Sequence, residues 1–79
     1  MDRRQIEEKI MEEIKGISEG EEYSLDMDLM DEIGFSSIEM MELISYAEKE
    51  FDVKIASREL RLVATPADLT RLIEEKKQV

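Results

Sequence analysis

Two adjacent serines, Ser36 and Ser37, open a run of residues with helical spacing. Only one of them has a structural duty there. Ser36 is a good N-cap, and Glu39 three positions on completes a capping box, Ser36-x-x-Glu39. Ser37 falls at the first helical position, where a hydroxyl caps nothing. It points outward from a strip it shares with Met41 and Ile44. A phosphate attached at that point would sit at the positive end of a helix dipole, beside unpaired backbone N–H groups. The pattern suits a surface hydroxyl that carries an anionic ester. The plainer reading is that both serines merely start a helix, as Ser often does.

Other chemistries fare worse. The chain has no Cys and no His. Disulfides, the usual zinc sites, thiol nucleophiles and His-based triads are therefore out of reach. Asp26 and Asp28 look like the start of a calcium loop, but its sixth and twelfth places hold Asp31 and Ser37 instead of Gly and Glu. What remains is unspecific attraction of divalent cations by clustered carboxylates. Paired carboxylates for acid–base work need a concave pocket, which a chain of 79 residues seldom builds. No intrinsic enzyme activity is expected.

The elements that would position Ser37 are helical. Residues 2–15 place Ile6, Ile10, Ile14 and Ile17 on one stripe, with Met11 at its edge, and Gly16 suits the left-handed stop after Lys15. Residues 16–35 read as a long loop pinned by Leu25, Met27, Leu29, Met30, Ile33 and Phe35, with a short helical turn near Asp26 to Asp31. Residues 37–51 form the second helix, with Met40, Leu43, Ala47 and Phe51 on the core face. A second strip holds Ser37, Met41, Ile44 and Glu48, so the apolar arc is wider than one core contact requires. In residues 52–64, Ser57 caps a possible short helix, with Leu60 and Val63 turned inward. Thr65, Pro66 and Asp68 mark the start of the last helix, whose stripe is Leu69, Leu72 and Ile73. The expected fold is all-α: a three-to-four-helix bundle with a long first loop, in one domain spanning residues 1–79.

Charge narrows the partners. The formal net charge is −10. Residues 16–48 carry ten acids (Glu19, Glu21, Glu22, Asp26, Asp28, Asp31, Glu32, Glu39, Glu42 and Glu48) and no Lys or Arg, while acids and bases elsewhere cancel. One segment thus owns the whole imbalance. It repels nucleic acid, and it is either a solvated acidic loop with a helix face or a docking surface that steers basic protein partners. No apolar run is long enough to span a bilayer. The opening Asp2-Arg3-Arg4 does not read as a signal peptide. A cytoplasmic monomer is expected.

The stretch Asp31-Glu32-Ile33-Gly34-Phe35-Ser36-Ser37-Ile38-Glu39-Met40-Met41-Glu42-Leu43 resembles the signature of acyl carrier proteins. In that family an acidic pair, an aliphatic residue, Gly, a variable residue and Asp-Ser-Leu lead into the second helix. The likeness continues through Glu48-Lys49-Glu50-Phe51-Asp52-Val53-Lys54-Ile55 and Thr65-Pro66-Ala67-Asp68-Leu69, in family order without gaps over residues 31–73. The resemblance implies a covalent 4′-phosphopantetheine on Ser37, donated from coenzyme A by a phosphopantetheinyl transferase. The arm's thiol would carry acyl groups as thioesters. The resemblance also makes the second helix the recognition helix. Ile38, Met41, Ile44 and Glu48 would then contact partners, flanked by Glu39 and Glu42. Those partners would be acyl-loading and chain-elongating enzymes with basic docking patches, in fatty-acid, polyketide or related lipid assembly. A chain without Cys offers no native thiol to compete for the cargo.

Three features depart from the family pattern. Ser36 replaces the usual Asp, which is nearly neutral for capping but removes a charge that a transferase could contact. Ser36 is itself an alternative attachment site, although Ile38 fills the aliphatic position after Ser37. Arg58 and Arg61 stand where fatty-acid carriers tend to be acidic, which points to a specialised carrier. Two rival readings remain: an aminoacyl or peptidyl carrier of the same fold, and an acidic helical interaction module that is never modified.

Overall fold

In the computed structural model, residues 2–18 and 23–77 are described. The elements are α1 (Arg3–Ser18), α2 (Ser37–Phe51), α3 (Ser57–Leu60) and α4 (Pro66–Lys77). All regular structure among the described residues is helical. The bundle is the expected one, with a long connection between α1 and α2.

Helix α1 starts on a reciprocal pair. The Asp2 carboxylate accepts from the Gln5 N–H, and the Gln5 side-chain oxygen accepts from the Asp2 N–H, both at 3.0 Å. Ile6, Ile10 and Ile14 are fully buried between α2 and α4, against both of which α1 packs. Each such side chain is worth about 1.5–3 kcal/mol of burial, so this stripe is the keystone of a small core. The expected stop at Gly16 is wrong: the helix runs on to Ser18. Ile17 packs against the core as the fourth member of the stripe. That burial outweighs the cost of a helical glycine, about 1 kcal/mol.

The long connection is tied down where the structure describes it; Glu19, Gly20, Glu21 and Glu22 lie outside the described residues. The Leu29 N–H donates to Ala64 O at 2.8 Å and the Ala67 N–H to Leu25 O at 2.9 Å. These two bonds stitch the loop to the α3–α4 junction. Leu29 and Phe35 are buried. The short helical turn expected near Asp26 to Asp31 is a set of turns, one of them closed by the Glu32 N–H donating to Asp28 O at 2.9 Å. There the Asp28 carboxylate accepts from the Met30 and Asp31 N–H groups, while Glu32 Oε1 accepts from the Asp28 N–H. Met30, expected to point into the core, is 50% exposed. Gly34 has φ +94, a conformation that favours glycine. It turns the chain so that Phe35 goes inward and the next two residues reach the surface.

Helix α2 occupies the expected span and ends at Asp52, which takes the left-handed conformation (φ 54). For α3 the cap position is Ala56, not Ser57. The Glu59 carboxylate compensates by accepting from the Ala56 N–H at 2.8 Å. At α4, Thr65 Oγ1 accepts from the Asp68 N–H, and Asp68 Oδ2 accepts from the N–H groups of Ala64 and Thr65. Burial pushes the Asp68 carboxyl up, but these bonds and Arg71 outweigh it, so its pKa lies below the usual value.

Among the described residues, one core residue is polar. Thr70 on α4 is fully buried, and its hydroxyl has no hydrogen-bond partner among the described residues. An unsatisfied buried hydroxyl costs on the order of 1–3 kcal/mol. Thr70→Val keeps the shape and removes the penalty. It should stabilise the fold by about 1 kcal/mol, or a Tm gain of ~4–8 °C for a domain of this size. An unchanged or lower Tm would show that the hydroxyl finds a partner in solution.

Candidate functional site

The mouth of α2 is where loop, cap and cleft meet. Ser36 takes an extended backbone (φ −81, ψ 173). Its hydroxyl oxygen accepts from the Glu39 N–H at 3.2 Å, and its own N–H donates to Glu39 Oε1 at 2.8 Å. Both halves of the capping box are therefore in place. Ser37, the first residue of the helix, is exposed. Its hydroxyl makes no hydrogen bond to any other described residue. The N–H groups of Ser37 and Ile38 likewise find no acceptor among the described residues. An unengaged hydroxyl beside two free amides is what a phosphodiester needs at a helix start.

Ser37 also stands on the rim of a cleft of about 260 Å³. The remaining lining is apolar: Met30, Met40, Met41, Ile44, Leu60 and Val63. The loop supplies Met30, α2 supplies one wall, and α3 with the residues after it supplies the other. Three methionines give this lining the pliability to admit chains of varied shape.

The residues expected to meet partners divide into two groups. Ile38 (74% exposed) and Met41 (55% exposed) stand out from α2, next to exposed Glu42. They border a shallow groove with Glu13, Ser45, Tyr46 and Lys49. Burial pushes the Tyr46 hydroxyl's pKa up, with nearby Glu50 adding to it. The other three expected contacts have duties inside the fold. Ile44 is buried, 4% exposed, and faces the cleft, so it is not a surface contact here. Glu48 is half-buried, and its Oε2 accepts from the Ile55 N–H at 2.9 Å. Glu39 closes the cap.

Two features escaped the sequence reading. Leu60 and Val63 pack inward and also wall the cleft. Leu62 is 70% exposed, beside exposed Arg58 and Arg61. A hint lay in Leu60, Leu62 and Val63 falling within four positions, which cannot all face one way. Among the described residues, no three carboxylates converge as metal ligands. No described helix is long and apolar enough to cross a membrane.

With this geometry in view, comparison with known proteins gives a family. The sequence model of the phosphopantetheine attachment site matches residues 5–73. A solved structure assigned as an acyl carrier protein from Mycobacterium tuberculosis superposes with a TM-score of 0.82 at 28% identity, covering 89% of this chain and 96% of that one. The chain belongs to the phosphopantetheine-attachment family and is a carrier protein of the acyl-carrier fold. Its family cofactor is covalent 4′-phosphopantetheine, which supplies a thiol that holds cargo as a thioester.

The two serines should separate by stability. Ser36→Ala removes the cap and should cost about 1 kcal/mol, read from denaturant unfolding. Ser37→Ala should unfold at the wild-type midpoint. Equal losses for both would mean that Ser37 also holds the backbone.

Proposed function

We propose that residues 1–79 form one acyl carrier domain and that Ser37 is the attachment residue for the phosphopantetheine arm. The observation that carries this reading is the exposed, uncommitted Ser37 hydroxyl on the rim of an apolar cleft. Ser36 is a poor alternative, because its oxygen already accepts from the helix. In the transfer reaction the Ser37 oxygen attacks the phosphorus of coenzyme A's pyrophosphate and loses its proton. A phosphodiester forms as the nucleotide leaves. The free Ser37 and Ile38 amides lie where they can offset the charge of that ester. Catalysis belongs to the transferase and to the enzymes that later use the cargo.

The cleft favours acyl over aminoacyl cargo. An amino group entering it would meet no charged partner, since the lining holds none. An apolar cavity of about 150 Å³ takes up benzene, and this cleft is larger. The pathway class that fits is fatty-acid, polyketide or related lipid assembly, in a cytoplasmic setting. Ile38 and Met41 provide an apolar contact ringed by acids, with Glu42 fully available. Partner enzymes would meet it with basic patches, and opposite charge speeds encounter.

Incubation with coenzyme A and a phosphopantetheinyl transferase should add one arm to the intact mass of the protein. Ser37→Ala should abolish the gain, and Ser36→Ala should retain it. The reverse pattern would move the site by one residue; no gain in either protein or wild type would favour an unmodified interaction module. Glu42→Lys should slow association with an acyl-handling partner by about threefold to tenfold at low salt, with the effect fading as salt rises. Unchanged association rates would remove the steering role.

A further inference from the structure

Helix α3 is the least anchored element of the fold. It has four residues and none is buried. Its neighbours Ile55 and Val63 reach the core, and its own last residue, Leu60, packs half-buried against it; the rest of α3 is held by polar ties. The strongest is between Glu59 and Lys76 near the end of α4: Glu59 Oε2 and Lys76 Nζ lie 2.9 Å apart, and each side chain is only 25% exposed. The other oxygen of the same carboxylate caps α3 through the Ala56 N–H. That backbone bond, followed by Lys76, holds the Glu59 carboxyl below the usual range. One side chain therefore both starts α3 and fastens it to α4. The next residue, Leu60, together with Val63, forms the wall of the cleft opposite α2.

We propose that the Glu59–Lys76 ion pair positions α3 as the outer wall of the Ser37 cleft and so sets how well the cleft encloses an apolar chain. The positional half stands on the geometry alone; the enclosure half rests on the carrier reading given above. Lys76 acts through Glu59 and touches nothing in the cleft. Losing it leaves Glu59 capping α3 with no tie to α4. The wall then opens more often, without loss of the α1–α2–α4 core.

Backbone hydrogen exchange on the full-length, unmodified protein decides the positional claim. The N–H groups of Leu60, Leu62 and Val63 bond to Ala56, Glu59 and Leu60 carbonyls, so they report on α3 directly. In Lys76→Met these three should exchange about threefold faster or more. Leu43 and Ala47 in the core of α2 should keep their rates, and Lys76→Arg should restore the wild-type pattern at α3. Unchanged rates at all three, or the same acceleration at Leu43 and Ala47, would overturn the claim. The enclosure claim is read on protein loaded with an octanoyl or an acetyl thioester and treated with hydroxylamine. Lys76→Met should speed cleavage of the octanoyl form and leave the acetyl form alone, because a two-carbon cargo is too short to depend on the wall. Equal acceleration of both would overturn enclosure. A protein that accepts no arm would overturn the carrier reading instead, and the exchange rates would still decide the ion pair.

Discussion

A helix start accepts one cap, and in this protein Ser36 has taken the position. The reciprocal bonds between Ser36 and Glu39 satisfy the donor three residues into α2 and fix the direction in which the chain enters it. Everything at the site follows from that assignment. The next residue inherits an exposed position with no backbone duty, so its hydroxyl is free for chemistry. Gly34 just upstream makes the entry geometrically possible by adopting a conformation that other residues seldom take. Phe35 then anchors the loop to the core. Cap, turn and anchor occupy successive positions, and together they hold one oxygen at the lip of an apolar cleft.

The rest of the fold divides the labour between burial and charge. The isoleucine stripe of α1 holds α2 and α4 together. The loop joins that core through Leu29 and Phe35, whereas α3 adds only half-buried Leu60 and relies on hydrogen bonds and an ion pair, which are weaker and easier to open. The uncompensated acids of residues 16–48 lie on the side of the sequence that contains Ser37. Concentrating them there costs self-repulsion, and under the proposed carrier function it favours the approach of a basic partner. Apolar Ile38 and Met41 stand exposed beside Glu42, the pairing of contact area and charge that the proposed docking role calls for.

How much of this was legible depended on whether the deciding contact was local. The caps of α2 and α4 are spelled out within four residues, at Ser36 with Glu39 and at Thr65 with Asp68, and both starts came out where the sequence put them. The stripes of α1 and α2 were equally plain. Gly16 misled because its propensity is a local signal, whereas the burial of Ile17 that overrides it depends on the whole core. Ile44 misled for the same reason. The helical wheel placed it on a spare apolar strip, but the covering residues Leu60 and Val63 arrive from beyond α2. Their position depends on Glu48 reaching Ile55 and Lys76 reaching Glu59, contacts that no short window reveals. Ser57 was passed over as a cap because the Glu59 carboxylate serves Ala56 instead.

The idle hydroxyl of Ser37 is the feature on which the proposed carrier function stands. Its most direct test is peptide-level mass spectrometry of the protein purified from its native host, with fragmentation that resolves neighbouring serines. A single phosphopantetheine on Ser37, with Ser36 unmodified, is the expected result. An arm located on Ser36, or a chain that leaves its host bare in every molecule, would contradict it.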